Sequence, residues 1–256
     1  MRRKAYILLA LALSFGPVAL AQTPASGPNS DPMAARLSAD KAADVETGSY
    51  VAGEQINFTL DRLGDKYLLR FAGNPETFVL NVDRVILGGR VLKYDTGATA
   101  LRISVWGGMT LYTDTAPGGL PATRTGDVTP EDRAPVGAAD LESALRDQSG
   151  HLAYADQVTL RFSAGIIGDK NREEAFDTLI NAGAAIERVV ALPAGRSAFQ
   201  RRIQAVRLAA GDKPGVTLSG RTLVIAFVPG QGPLGRLSSR AMTVELGKIL
   251  SVPESG

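Results

Sequence analysis

From Tyr50 to Thr113 the apolar positions recur with a period of two. Ile56, Phe58 and Leu60 alternate with Asn57 and Thr59, and Leu63-Gly64-Asp65-Lys66 then turns the chain into Tyr67 to Phe71, which predicts a β-hairpin. The pattern returns over Thr77 to Val82, Val85 to Tyr94, Ala100 to Trp106 and Met109 to Thr113. Turn residues stand between these runs at Asn74-Pro75, Gly88-Gly89, Asp95-Thr96-Gly97 and Gly107-Gly108. About six short strands at this spacing predict an antiparallel meander or small barrel over residues 50–116.

The pattern then breaks. Pro117 to Gly137 carries repeated Pro and Gly with almost no large apolar residue, and reads as a linker over residues 117–137. Beyond it, Val158, Leu160 and Phe162 alternate as a strand, and the period lengthens to that of a helix at Phe176, Leu179, Ile180, Ile186 and Val190. Asn171 and Glu174 have the spacing of a capping box at its start. Ser197 with Gln200 repeats the capping signal ahead of Phe199, Ile203, Val206 and Ala210. The run Ile203 to Leu208 equally fits a strand entering a hairpin at Asp212-Lys213-Pro214-Gly215. Val216 to Leu218 and Thr222 to Val228 read as strands around Ser219-Gly220, and Ser238 caps a last helix through Leu250. The expected fold class is α+β: an N-terminal antiparallel β unit and, over residues 138–256, strands with about three helices.

The first residues change the setting. Met1-Arg2-Arg3-Lys4, the apolar run Ala5 to Phe15 and Ala19-Leu20-Ala21 have the layout of a secretory signal peptide over residues 1–21, with cleavage after Ala21. Residues 22–49 then read as a flexible Pro/Ser/Gly leader and a short helix over Met33 to Val45. Loss of Arg2, Arg3 and Lys4 turns a formal charge of +2 into −1, and no long basic run remains to follow a phosphate backbone. Nucleic acid is therefore not an expected partner, and no later apolar stretch is long enough for a membrane-spanning helix. The expectation is a periplasmic or secreted protein. With no cysteine it has neither disulfides nor thiolate chemistry, and it must rely on its core.

Few residues carry candidate chemistry. The single histidine, His151, lies in a polar run and reads as a surface loop residue, and one histidine excludes any multi-histidine metal site within the chain. Gly230-Gln231-Gly232-Pro233-Leu234-Gly235 matches G-x-G-x-x-G between a strand and a helix. No further strand follows in which a dinucleotide fold would continue, so a glycine-rich connection is the better reading. Arg236, Ser238 and Ser239, at the start of the last helix, suit a small anion. Asp169, Asn171, Glu173 and Glu174 cluster three carboxylates and an amide where a helix N-terminus favours negative charge. Trp106, Tyr112 and Phe58 offer an aromatic face, although alternate aromatics on strands more often fill a core.

Asp95-Thr96-Gly97-Ala98 resembles the active-site motif of retropepsin-like aspartic peptidases, in which each subunit of a homodimer supplies one aspartate to a shared-proton pair. Ile166-Ile167-Gly168 resembles the later apolar-apolar-Gly element of that family. The resemblance implies Asp95, Thr96 and Gly97 as catalytic residues. Asp-Thr-Gly is also an ordinary hairpin turn, and Lys93-Tyr94 stands where the family carries buried aliphatics, so the turn is preferred and the peptidase kept as the alternative. A wider set comprises Leu60-Asp61-Arg62, Leu68-Leu69-Arg70-Phe71, Pro75-Glu76, Asp95 with Gly97, Leu101-Arg102, Gly107 to Tyr112 and Gly235 to Ser239. Together these resemble an exported Gram-negative family known as domain of unknown function 4908. That resemblance implies a periplasmic protein and supplies no catalytic residues. The expected function is non-catalytic, by binding an unknown protein or small ligand, with no cofactor and no metal.

Overall fold

The computed structural model describes residues 45–84, 89–129 and 133–251. The expected signal peptide, the leader and the Met33 to Val45 helix as far as residue 44 lie outside them, as do residues 85–88 of the Val85 to Tyr94 strand.

The fold is α+β. Eight strands close an antiparallel barrel in simple sequence order: β1 (Gly48–Ala52), β2 (Ile56–Leu63), β3 (Lys66–Phe71), β4 (Thr77–Arg84), β5 (Arg90–Lys93), β6 (Thr99–Ile103), β7 (Met109–Thr113) and β8 (Ala116–Gly126). The period-two residues point inward, and Phe58, Leu60, Leu69, Phe78, Leu80, Leu92, Leu101 and Leu111 are buried. At eight strands a barrel is just wide enough for side chains to fill, and this one is filled. Aromatic rings link Tyr50, Phe58, Phe71, Phe78 and Tyr94 in succession, the last pair edge to face at 5.4 Å.

Closure depends on β8, which the Pro/Gly content had marked as linker. Residues 117–126 are strand instead. Pro121 is tolerated at the end of the β1 ladder, which runs only from Ala122 onward; it stands opposite Thr110 of β7, and its carbonyl still accepts from Gly53 N–H at 3.1 Å. Gly119 has φ +84°, and a Cβ there would stand 2.8 Å from the Tyr112 ring, so the glycine is what lets that ring lie over β8.

The C-terminal half has four helices rather than about three: α1 (Ala138–Ala155), α2 (Arg172–Val190), α3 (Pro193–Arg202) and α4 (Ser239–Leu250). The unforeseen α1 buries only Leu141, Leu145 and Leu152, a stripe too sparse to give a periodic signal. His151 lies on this helix rather than in a loop; its side chain is half exposed, 3.3 Å from Glu187. The strands β9 (Arg161–Ala164), β10 (Ala205–Ala210), β11 (Gly215–Ser219) and β12 (Thr222–Phe227) form a sheet in the order β11-β12-β10-β9. Pro193 opens α3, so Ser197 is interior rather than a cap, and the run after Ile203 is strand. No hairpin forms at 212–215, because β10 pairs in parallel with β12 and β11 crosses to the far edge.

The two halves keep separate apolar cores. One fills the barrel; the other lies between the sheet and α1, α2, α3 and α4.

Candidate functional site

Asp95 sits in a tight turn between β5 and β6. Tyr94 N–H donates to Ala98 O at 2.9 Å, Gly97 N–H donates to Tyr94 O at 2.9 Å, and Gly97 adopts φ +85°. The backbone is thus the hairpin turn expected of Asp-Thr-Gly. Its side chain, however, reaches across to the other half of the molecule: Ser238 N–H donates to Asp95 Oδ2 at 2.9 Å and Ser238 Oγ donates to Oδ1 at 2.7 Å.

Beside it, Glu76 makes the matching contact one residue on. Ser239 N–H donates to Glu76 Oε1 at 2.6 Å and Ser239 Oγ to Oε2 at 2.5 Å, while Asn74 Oδ1 accepts from Glu76 N–H at 2.9 Å and fixes the loop. Two carboxylates from two barrel loops therefore clasp the N-terminus of α4, where exposed amides and the helix dipole favour negative charge. Ser238 also caps the helix, its Oγ accepting from Ala241 N–H at 3.1 Å. The small anion expected at Ser238 and Ser239 is supplied by the chain itself.

The glycine-rich connection behaves likewise. Gly230 and Gly232 N–H donate to the two oxygens of Glu174, at 2.9 and 2.7 Å, so these amides receive a carboxylate and not a phosphate. Glu174 is thereby drawn away from the capping box expected with Asn171, which forms no side-chain cap. Gly235 packs so closely that a Cβ would lie 2.4 Å from Val228 O, which fixes the approach to α4. Buried Arg236 pairs with Asp177 at 2.8 Å, and Arg133 joins the same carboxylate at 3.3 Å while reaching toward Pro75 O.

Burial sets the electrostatics of this seam. It pushes the Glu76 carboxyl above the usual carboxylate range, an effect that the two Ser239 bonds and nearby Arg188 oppose and the neighbouring Asp95 reinforces. It lowers the Arg236 guanidinium, with Asp177 opposing. Tyr94, under the Arg240 guanidinium at 4.4 Å, is pushed up to about 12 by burial, and its hydroxyl has no hydrogen-bond partner among the described residues.

Ser239 next to a buried carboxylate has the composition of a nucleophile and its base. The geometry favours holding over attack: Ser239 is fully buried, and its Oγ accepts from Arg188 at 2.6 Å while donating to Glu76.

This pairing of Pro75-Glu76 and Asp95 with Gly235 to Ser239 unites motifs that the sequence left apart, and the family profile for Domain of unknown function (DUF4908) matches residues 31–246. The chain belongs to the DUF4908 family. Neither the curated proteins nor the solved structures give a match. The match leaves the retropepsin resemblance local to the Asp95 turn. In this DUF4908 chain Ile166, of the apolar-apolar-Gly element, is fully exposed, while Gly107-Gly108 is a hairpin turn and Gly118-Gly119 lies in β8. Nor do the three aromatics share a face: Phe58 is buried in the barrel, Tyr112 is half-buried over β8, and Trp106 stands 95 % exposed.

Next to the clasp a cleft of about 1170 Å³ opens between the barrel rim and the helices. Asp95, Thr96 and Pro117 form one wall, and Leu192, Ala241 and Val244 part of the other. A smaller hollow of about 370 Å³, lined by Tyr94, Arg102 and Tyr112, shares Ala98, Asp114 and Arg240 with it, so the two are continuous. Sequence reasoning placed Glu76 in the Pro75-Glu76 motif without giving it a role, and missed Arg188 and Arg240, which belong to no short motif; only the pairing of barrel loops with the last helix gives them roles.

Proposed function

We propose that the chain is an exported, non-catalytic binding protein of the cell envelope whose ligand occupies the cleft between the barrel rim and α4. The observation that carries this reading is the clasp. Asp95, which lines the cleft, and Glu76 beside it are both engaged in anchoring α4, and what remains is a shaped recess with charged and aliphatic residues of α4 on its wall. The filled barrel offers no interior site.

Native mass spectrometry of protein recovered from the periplasm tests it. Wild type is expected to carry a small-molecule adduct that Val244→Trp, which fills the cleft, removes without lowering Tm. The same spectra should show a mature chain starting at Gln22. Full-length chain in the membrane fraction would overturn the export reading. Cleavage of an unfolded protein substrate that Asp95→Asn abolishes at equal stability would overturn the non-catalytic one and promote the dimeric peptidase.

A further inference from the structure

The continuous cleft holds four cations, Arg102, Arg188, Arg240 and Lys248, and three carboxylates, Asp95, Asp114 and Glu245. Each carboxylate is already engaged: Asp95 by Ser238, Asp114 by Arg240 at 2.7 Å, and Glu245 by Lys248 at 2.8 Å. Among the described residues Arg102 and Arg188 make no ion pair, and both face the cleft, Arg188 with buried Glu76 near it behind Ser239. Both are exposed, as a ligand-facing group must be.

Each has apolar or aromatic groups among its neighbours. Arg102 shares the smaller hollow with the rings of Tyr94 and Tyr112, and Arg188 lies beside Val189 and Leu192 in the larger. Arg188 is also steered, since its Nη1 donates to Ser239 Oγ behind it. A guanidinium fork with unused donors next to aromatic and aliphatic surface matches a carboxylate, sulfonate or phosphate head on an apolar body.

We infer that the cleft selects organic anions, the acidic head drawn by the guanidiniums of Arg102 and Arg188, one in each hollow, with the apolar body against Tyr112, Leu192 and Val244. This rests on the cleft being the ligand site, and the experiment separates the two. The probes are 1-anilinonaphthalene-8-sulfonate and its uncharged counterpart N-phenyl-1-naphthylamine, which share a ring system and differ in the acidic head. The sulfonate is expected to bind at least about tenfold tighter, with affinity falling as salt rises. Arg102→Gln, on the barrel surface and outside the clasp, should weaken the sulfonate about tenfold and leave the neutral probe and Tm unchanged. Arg188→Gln should weaken the sulfonate to the same degree and leave the neutral probe unchanged, with Tm reporting the lost bond to Ser239.

Equal binding of the two probes, both blocked by Val244→Trp or by Thr243→Tyr, would overturn the anion preference and leave the cleft as the site. Sulfonate binding unaffected by Arg102→Gln and Arg188→Gln, or no sulfonate binding at all, would overturn it as well. Probe binding that survives both cleft-filling variants would remove the cleft itself.

Discussion

Tyr94 is the side chain whose environment fits it least. Its ring closes the aromatic succession through the barrel and supports Arg240, but its hydroxyl is buried without a partner. A buried hydroxyl lacking a hydrogen bond costs about 1–3 kcal/mol of desolvation. Tyr94→Phe is therefore expected to keep the fold and raise stability by up to about 1 kcal/mol, read as an increase in the denaturant midpoint at unchanged m-value. The alkaline limb provides a second readout. A phenol raised in the folded state from 10.0 to about 12 stays protonated while the unfolded chain ionises, so wild type should lose stability as pH rises between those values and Tyr94→Phe should lose less. Glu76 follows the same sign at lower pH. Its folded carboxyl is raised by burial, so the folded chain holds that proton longer than the unfolded one, and its contribution declines as pH climbs from the ordinary carboxylate range through the folded value. Glu76→Gln removes this slope, and near neutrality it should fall within about 1 kcal/mol of wild type because the amide still bonds Ser239. Glu76→Ala strands the buried Ser239 amide and hydroxyl and should cost about 2–4 kcal/mol, measured by denaturation over a pH series.

Elements show which signals a sequence carries and which it hides. The α4 start was legible from Ser238 alone, because an N-cap is a local bond, and here the cap forms. Barrel strands were legible from alternation, since one face of each fills the interior. At Asp95, at Glu174 and at Gly230 to Gly235 the chemical type was legible and the partner was not. Each is a carboxylate or an amide row suited to bonding its near neighbours, and local rules assign it to them, but folding offers a buried helix end or glycine turn far along the chain. Such long-range choices leave no spacing to read. β8 and α1 were hidden for another reason, as a half-paired strand tolerates Pro and Gly and a helix covered on a narrow stripe needs few apolar residues. These roles make α4 sensitive at its first turn. Ser238→Ala removes the hydroxyl's donation to Asp95 Oδ1 and the cap that it makes by accepting from Ala241 N–H, while its backbone bond to Asp95 remains. The expected loss is about 1–2 kcal/mol, smaller in an Asp95→Asn background than in wild type because the two residues share an interaction, and a double-mutant cycle measures the difference.

At the scale of the whole molecule, two apolar cores meet across a polar seam, and the seam is built from charge, helix dipole and hydrogen bonds. Apolar burial gives each half cohesion without reference to the other, so the seam sets whether they unfold together. The clasp carries much of that coupling, alongside Arg240 with Asp114 and Arg133, which bridges Asp177 and the Pro75 carbonyl. Wild type is expected to unfold in one transition. In the double variant Glu76→Ala/Asp95→Ala neither core loses an apolar contact, but the α4 N-terminus loses both barrel carboxylates. Calorimetry should then resolve two transitions, or one whose calorimetric enthalpy exceeds the van't Hoff value. Reductant should leave either trace unchanged, because the chain has no cysteine. A single sharp transition in the double variant, shifted down in temperature but still two-state, would mean that the remaining ion pairs couple the halves by themselves. The seam would then be a distributed interface, with the clasp a local contributor to it.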